Sequence, residues 1–283
     1  MKSSQRRVEK IIEPQAVVEG AGVRLKRSIG TQTLEYVDPF LLLDHFASKN
    51  PADYQAGFPL HPHRGIETVT YLLAGTVRHR DTLRNSGEIG PGDIQWMTAG
   101  RGIMHEEMPQ LRPEGVAGFQ LWVNLPKKLK MAEPRYQNIN ANEIPEIRRE
   151  GSATIRVIAG SVDGVTGPVS GIAADPTYLD VSMTPHATLI QPIPRGHAAF
   201  AYVFEGEARF GAEDQTMVVQ PRLIVWDDGD SIEVNTGESP VRFLLVSGRP
   251  LHEPIARYGP FVMNTREEIE QTLRELQQGT FAR

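Results

Sequence analysis

Two short clusters of histidine and carboxylate side chains carry the chemistry that this sequence offers. The first is His61-Pro62-His63, and the second is His105-Glu106-Glu107. The chain contains no cysteine, so a thiolate site is excluded. Imidazole and carboxylate groups remain, and these bind several divalent transition metals. The two clusters therefore predict a metal site built from nitrogen and oxygen ligands.

The spacing inside each cluster favours one shared site. Side chains at positions i and i+2 of a strand point to the same face, so His61 pairs with His63, and His105 pairs with Glu107. Pro62 has no N–H for a sheet, which predicts an edge or irregular strand. Three imidazoles and one carboxylate suit Fe(II), Mn, Ni, Cu, Co or Zn. Four such ligands on an octahedral ion leave two positions for water, O₂ or a chelating substrate.

The carboxylate of this site has a competitor. Glu67 follows His63 at the spacing of the familiar His-x-His-x-x-x-Glu ligand pattern. Glu106 points to the opposite face from His105 and is the weaker candidate. Spacing alone leaves Glu67 and Glu107 both open. The other histidines have no partner at ligand spacing and are expected to be packed or surface residues: His45, His79, His186, His197 and His252.

Short strands must position these clusters. The 283 residues include 26 glycines and 21 prolines, spread evenly along the chain, which is typical of many short strands joined by turns. The absence of a helical period between the strands predicts an antiparallel barrel or sandwich. The polar, proline-interrupted segment 127–149 is expected to be a connector, and the basic segment near the start a solvated end. Thr265 and Glu268 have capping-box spacing and predict one C-terminal helix packed on a barrel wall.

The strand pattern occurs twice. Gly75 and Gly206 follow similar strands 131 residues apart, and Trp96 and Trp226 are 130 residues apart. Such a repeat predicts two β-domains, at 1–135 and 136–283. These offsets place residues without metal-binding side chains at the ligand positions of the second copy: Pro192 and Pro194 for His61 and His63, and Asn235 and Gly237 for His105 and Glu107. The second domain is therefore expected to lack the metal.

Composition excludes several classes of partner. The net charge of −5 and the pI of about 5.9 argue against direct nucleic-acid binding. We find no apolar run of signal-peptide or membrane-spanning length in the sequence. The expectation is a cytoplasmic protein without a membrane segment.

Several long motifs resemble one family. HPHRGIETVTYLLAG at 61–75 and GDIQWMTAGRGIMHEEMP at 92–109 closely resemble the pirin family of the cupin superfamily. DPFLLLDHF at 38–46, FQLWVNLP at 119–126 and YGPFVMNTREEIEQ at 258–271 fit the same family. The resemblance implies an all-β bicupin, with two antiparallel β-barrel (jelly-roll) domains and a C-terminal helix. It also implies one divalent metal ion, with Fe(II) as the first choice, held by His61, His63, His105 and Glu107. The resemblance therefore favours Glu107 over Glu67.

The resemblance implies a function as well. Pirins are associated with quercetin 2,3-dioxygenase activity, in which O₂ opens an aromatic or enediol substrate, and Glu107 is the expected base for the substrate hydroxyl. Asp44 and Gln120 are expected to be pocket residues. One alternative is a metal-dependent regulator, such as a transcription cofactor, that binds a protein partner without catalysis. Another is a cupin isomerase or hydrolase that acts on an unrelated substrate, because cupins host many chemistries.

Overall fold

Antiparallel strands dominate the structure. A computed structural model describes residues 4–211 and 216–282, with 53% of the residues in strands and 8% in helix. The predicted all-β class with one C-terminal helix is confirmed, in a two-domain cupin architecture. The sheets are compatible with jelly rolls but do not close into barrels. Within these residues, no helix is long and apolar enough to cross a membrane.

The first half of the chain forms twelve strands: β1 (Val8–Ile12), β2 (Gln15–Glu19), β3 (Val23–Ile29), β4 (Phe40–Ser48), β5 (Phe58–His63), β6 (Ile66–Ala74), β7 (Val77–Asp81), β8 (Ser86–Ile89), β9 (Ile94–Thr98), β10 (Ile103–Pro109), β11 (Val116–Asn124) and β12 (Arg135–Ile139). The second half adds thirteen strands and the helix: β13 (Glu146–Arg149), β14 (Ala153–Ala159), β15 (Ser161–Val162), β16 (Val165–Thr166), β17 (Thr177–Met183), β18 (Thr188–Pro192), β19 (Ala198–Phe210), β20 (Met217–Val219), β21 (Arg222–Trp226), β22 (Ser231–Asn235), β23 (Val241–Gly248), β24 (Ala256–Tyr258), β25 (Phe261–Met263) and α1 (Arg266–Gln277).

The strands divide between two compact units that exchange terminal segments. The N-terminal unit comprises 15–31, 40–141 and the tail from residue 251. The C-terminal unit comprises 4–14, 32–39, 142–211 and 216–250. A linear division between residues 135 and 136 remains a prediction.

The N-terminal unit contains two main sheets. One has seven strands in the order β12-β9-β6-β11-β4-β3-β2, and the other has four in the order β5-β10-β7-β8. The strand of the first histidine cluster, β5, lies at the edge of the four-stranded sheet, as Pro62 predicted. The second cluster lies on β10, directly beside it. Antiparallel pairing thus brings the two clusters together.

The C-terminal unit contains the corresponding strands without the histidines. Strands β18 and β22 occupy the chain positions that β5 and β10 hold in the first unit, and no histidine lies on either. Thr188 pairs with Asn235, and Pro192 pairs with Ser231. The offsets of 131 and 130 would pair Pro192 with Asn235, so that residue-by-residue correspondence was wrong.

Two polar segments contain more regular structure and more buried contacts than the sequence predicted. The expected connector 127–149 contains β12, which pairs with β9, and β13, which pairs with β14. The basic start of the chain was expected to be solvated, but Arg6 is 1% exposed. Its guanidinium donates to the carbonyls of Gly229, His197 and Pro194 at 2.8–3.1 Å. Strand β1 then pairs with β21. Local polarity could not reveal partners about 190–220 residues away.

The predicted helix is present as α1. Thr265 caps it in a full capping box with Glu268. Its apolar residues, led by Ile269, pack in a cluster with Phe261 and Phe281. The helix therefore covers the short hairpin of β24 and β25. This hairpin also contacts the turn that follows β5.

That contact depends on a buried lysine. The Lys130 ammonium is 1% exposed and donates to Gly65 O at 2.9 Å, Asn124 Oδ1 at 2.7 Å and Val262 O at 2.8 Å. Gly65 has φ +77°, and a Cβ there would lie 1.9 Å from Val262 O. Lys130 and Gly65 thus secure the turn two residues after His63.

Replacing Lys130 by methionine should destabilise the protein. Three buried acceptors would lose their donor, at an expected cost of about 3 kcal/mol in the free energy of unfolding. Urea denaturation at pH 7 measures this loss. An unchanged midpoint would show that the ammonium does not hold the turn.

The same residue predicts a pH dependence. Burial lowers the pKa of Lys130 from 10.5 to about 8, so between these values the unfolded chain binds more protons than the folded one. The free energy of unfolding should therefore rise with pH in this window, by at most about 1.4 kcal/mol per pH unit. Other groups titrate there too, so the measured quantity is the wild-type slope minus that of Lys130→Met. Parallel curves would contradict the assignment.

Candidate metal centre

Three histidines from β5 and β10 converge on one point. His61 lies directly opposite His105 in the strand pair, and His63 lies opposite Ile103. The Nε2 atoms of His61 and His63 are 3.0 Å apart. One ligand nitrogen from each of the three rings lies within 4.8 Å of the others. The two-residue strand period and the register together produce this cluster.

A backbone carbonyl selects the tautomer of His61. Its Nδ1 lies 3.0 Å from Pro59 O, and a carbonyl can only accept, so Nδ1 carries the hydrogen. The Nε2 atom, which faces the other two histidines, is left with its lone pair. Such a bond at the outer nitrogen is how proteins commonly orient a metal-binding imidazole.

The burial of His105 is not compensated by hydrogen bonds to its ring nitrogens. Its side chain is 0% exposed, and neither ring nitrogen has a hydrogen-bond partner within residues 4–211 and 216–282. Burying unpaired polar atoms is costly. Burial, followed by the charges of His61 and His79, lowers the pKa of His105 to about 3. Burial and the neighbouring histidines also depress the pKa of His63 well below 6.5.

These properties fit a divalent metal ion. A metal requires neutral imidazoles with free lone pairs, and the lowered pKa values keep His63 and His105 neutral at pH 7. A bound ion would also satisfy a nitrogen of His105 that otherwise lacks a partner. With nitrogen ligands and no thiolate, the donor set suits the middle of the first transition series.

Glu107 lies beside this cluster rather than within it. It shares the inner face of β10 with His105 and is 7% exposed. The pairing with β5 shifts register between His105 and Glu107, which is how a bulge redirects side chains. Its Oε1 accepts a hydrogen bond of 3.0 Å from Thr70 Oγ1. No carboxylate of the described residues belongs to the three-histidine group, so Glu107 as the fourth ligand remains a prediction.

The competing carboxylate, Glu67, points elsewhere. Thr70 lines the cavity beside the histidines, and residues three apart on a strand face opposite sides. Glu67 therefore lies on the far face of β6, where it accepts a 2.8 Å bond from Thr98 Oγ1. Burial raises the pKa of this carboxyl group.

Two of the three histidines, His61 and His63, line a cavity of about 410 Å³. This volume lies in the usual range for small-molecule sites, which are mostly apolar with a few placed polar groups. The walls follow that pattern, and their apolar side chains are Val23, Leu25, Leu42, Phe46, Tyr54, Phe58, Val77, Val116 and Trp122.

The two predicted pocket residues both line the cavity. Asp44 is paired there with Arg27, whose Nε and Nη2 each donate at 2.7 Å. Arg27 also donates to Glu19 at 2.7 Å. The three side chains therefore carry a formal net charge of −1. Gln120 lies 2.8 Å from the hydroxyl of Thr70. Sequence reasoning missed Arg27 and Thr70, because an isolated arginine or threonine in a strand gives no local signal.

His79 was expected to be an ordinary packed or surface histidine. It lies instead opposite Glu107 in the β7–β10 pair and is 5% exposed. Its Nε2 accepts from Gln95 Nε2 at 2.9 Å, and Gln95 also donates to Asn138. Burial lowers the pKa of His79, and the charge of Glu107 acts in the opposite direction. His79 is therefore packed, as predicted, and it lies beside the candidate metal centre.

Comparisons with known proteins identify the family and support the fold. The family model described as pirin matches residues 22–123, and that of the pirin C-terminal cupin domain matches 178–282. A pirin-like protein of Caulobacter vibrioides is 44% identical, covering 98% of this chain and 99% of the relative. Human pirin is 45% identical, and the alignment covers 90% of this chain and 87% of human pirin. A crystal structure of quercetin 2,3-dioxygenase from Acinetobacter baumannii superposes with a TM-score of 0.89 at 33% identity, covering 98% and 99% of the two chains.

Metal binding should stabilise the fold through His105. Ni(II) at 100 times its dissociation constant should add about 2.7 kcal/mol to the free energy of unfolding, seen as a rise in Tm. His105→Ala should abolish this rise. His186→Ala is the matched control, since His186 is exposed and lies in the other unit. An equal rise in His105→Ala would place the metal elsewhere.

Proposed function

Because the chain belongs to the pirin family, we propose that it is a metal-dependent oxygenase of the quercetin 2,3-dioxygenase type. The observation that carries this proposal is the three-histidine cluster, of which His61 and His63 line a 410 Å³, mainly apolar cavity. The likeness to a quercetin 2,3-dioxygenase structure over nearly the whole chain supports it. The proposed substrate is a flavonol or another planar aromatic or enediol compound, with O₂ as the second substrate.

The resident ion is proposed to be Fe(II), held by His61, His63 and His105 with Glu107 as the fourth ligand. Once bound, a divalent ion there would coordinate vicinal hydroxyl and carbonyl oxygens and lower the pKa of the hydroxyl. The protein's part is to keep His63 and His105 neutral, through burial, and to orient His61 through Pro59 O.

The substrate is proposed to lie with its rings between the apolar walls of the cavity. Trp122 and Phe58 offer large faces close to the histidines, since Trp122 lies 5.2 Å from the His63 ring and Phe58 lies 6.2 Å from the His61 ring. Planar rings packed there would bring a chelating edge to the metal centre and exclude water from it.

Glu107 is proposed to take the proton of the substrate hydroxyl. It lines the cavity, and no hydrogen bond to its Oε2 is found within the described residues. A buried carboxylate beside the chelated oxygens has the geometry of a general base. Its hydrogen bond to Thr70 keeps the carboxylate at the cavity wall.

Oxygen uptake with quercetin tests the proposed reaction. Protein loaded with Fe(II), and in parallel with Mn(II), Ni(II) or Cu(II), should consume O₂ only when substrate is present. His61→Ala should lose this activity because the centre loses a ligand, and His186→Ala should keep it. If no metal form consumes O₂, the proposal fails and the non-catalytic regulator becomes the better hypothesis.

Replacing Glu107 by glutamine tests the proposed base. The amide cannot accept the proton, so turnover should fall by about a hundredfold or more, while quercetin still binds. Binding is measured by titration of the substrate absorbance in the absence of O₂. Turnover within twofold of wild type would show that another group takes the proton.

A further inference from the structure

One buried hydroxyl, that of Thr70, stands between Glu107 and Gln120. Its Oγ1 is 3.0 Å from Oε1 of Glu107 and 2.8 Å from Oε1 of Gln120. Thr70 is 4% exposed, and Gln120 lies directly opposite it in the β6–β11 pair. A hydroxyl carries one hydrogen, so it can donate to only one of these oxygens at a time.

The two choices have different consequences for Glu107. When the hydrogen points to Glu107, a half-turn of the Gln120 amide lets an N–H donate to Thr70, and every group is satisfied. When it points to Gln120, Oε1 of Glu107 faces the lone pairs of the Thr70 oxygen. The carboxylate then gains by moving away from Thr70.

The position of the Glu107 carboxylate indicates that this movement would be toward the three histidines. Its side chain leaves β10 on the same face as His105, yet neither carboxylate oxygen joins the group of ligand atoms within 4.8 Å. Ligation therefore requires the carboxylate to come closer to at least one of the three histidines. The Thr70 hydrogen bond, which holds Oε1 of Glu107, opposes this movement.

We propose that Thr70 is a positioning residue that holds Glu107 away from the three-histidine cluster and releases it when its hydroxyl turns to Gln120. Glu107 then has two positions, one at the histidines as the fourth ligand and one at Thr70 as the base. The inference rests on the metal centre and on the role of Glu107 proposed above. It assigns the exchange between these positions to a threonine that lies on a different sheet from the ligands.

Three variants give opposed expectations for metal affinity. Thr70→Val keeps the side-chain shape but removes the competing donor, so Co(II) should bind about tenfold more tightly. Thr70→Ser keeps the hydroxyl and should restore wild-type affinity. Gln120→Leu removes the other acceptor, so the hydroxyl should stay on Glu107 and Co(II) should bind about tenfold more weakly. Competition with a chelator gives the affinities, and the visible absorption of Co(II) reports its coordination number.

A double-mutant cycle with Glu107→Ala separates this role from a merely structural one. In the Glu107→Ala background, Thr70→Val should no longer change Co(II) affinity. Weaker or unchanged binding in Thr70→Val alone would overturn the proposal, as would the same gain in both backgrounds. If the wild-type protein binds no Co(II), Ni(II) or Fe(II), the metal centre itself fails and the proposal fails with it. Urea midpoints near wild type establish that each variant is folded.

Discussion

The antiparallel pairing of β5 with β10 is the constraint on which the site depends. It places His61 opposite His105, and the two-residue period of each strand then turns His63 and Glu107 to the same face. A slip of one residue would send the histidines of one strand to the opposite face. The register is secured from outside the pair, because Lys130 binds the carbonyl of Gly65 just beyond β5 and that of Val262 in the C-terminal tail.

The same burial that forms the centre makes it costly without a ligand. His105 is fully buried with both nitrogens unpaired among the described residues, and a neutral imidazole there gains little unless something binds its lone pair. The C-terminal unit shows the alternative use of this scaffold. Its interior is filled by an apolar cluster that includes Phe210, Trp226 and Phe243.

The polar groups of the cavity also fall into two kinds. Arg27 and Asp44 saturate each other with two short hydrogen bonds, which leaves that part of the wall electrostatically quiet. Beside the histidines, the Thr70 hydroxyl has more acceptors than it has hydrogens. That hydroxyl can donate to only one of the two oxygens at a time, whereas a fully satisfied network is rigid. This contrast places the adjustable part of the cavity next to the proposed chemistry.

Local patterns in the sequence were enough for the ligand types, the many short strands, the capping box of α1 and the family resemblance, because each depends on residues close together in the chain. Tertiary structure alone decided what depends on distant partners. It buried Arg6 among carbonyls about 190–220 residues away and found strands in the expected connector. The strand pairing also showed that the offset of the repeat is not constant. Glu67 lies on the far face of β6, where it binds Thr98, whereas Thr70 of one sheet donates to Glu107 of the other. Residue spacing describes one strand at a time, whereas the register between strands and the packing of sheets determine which side chains meet.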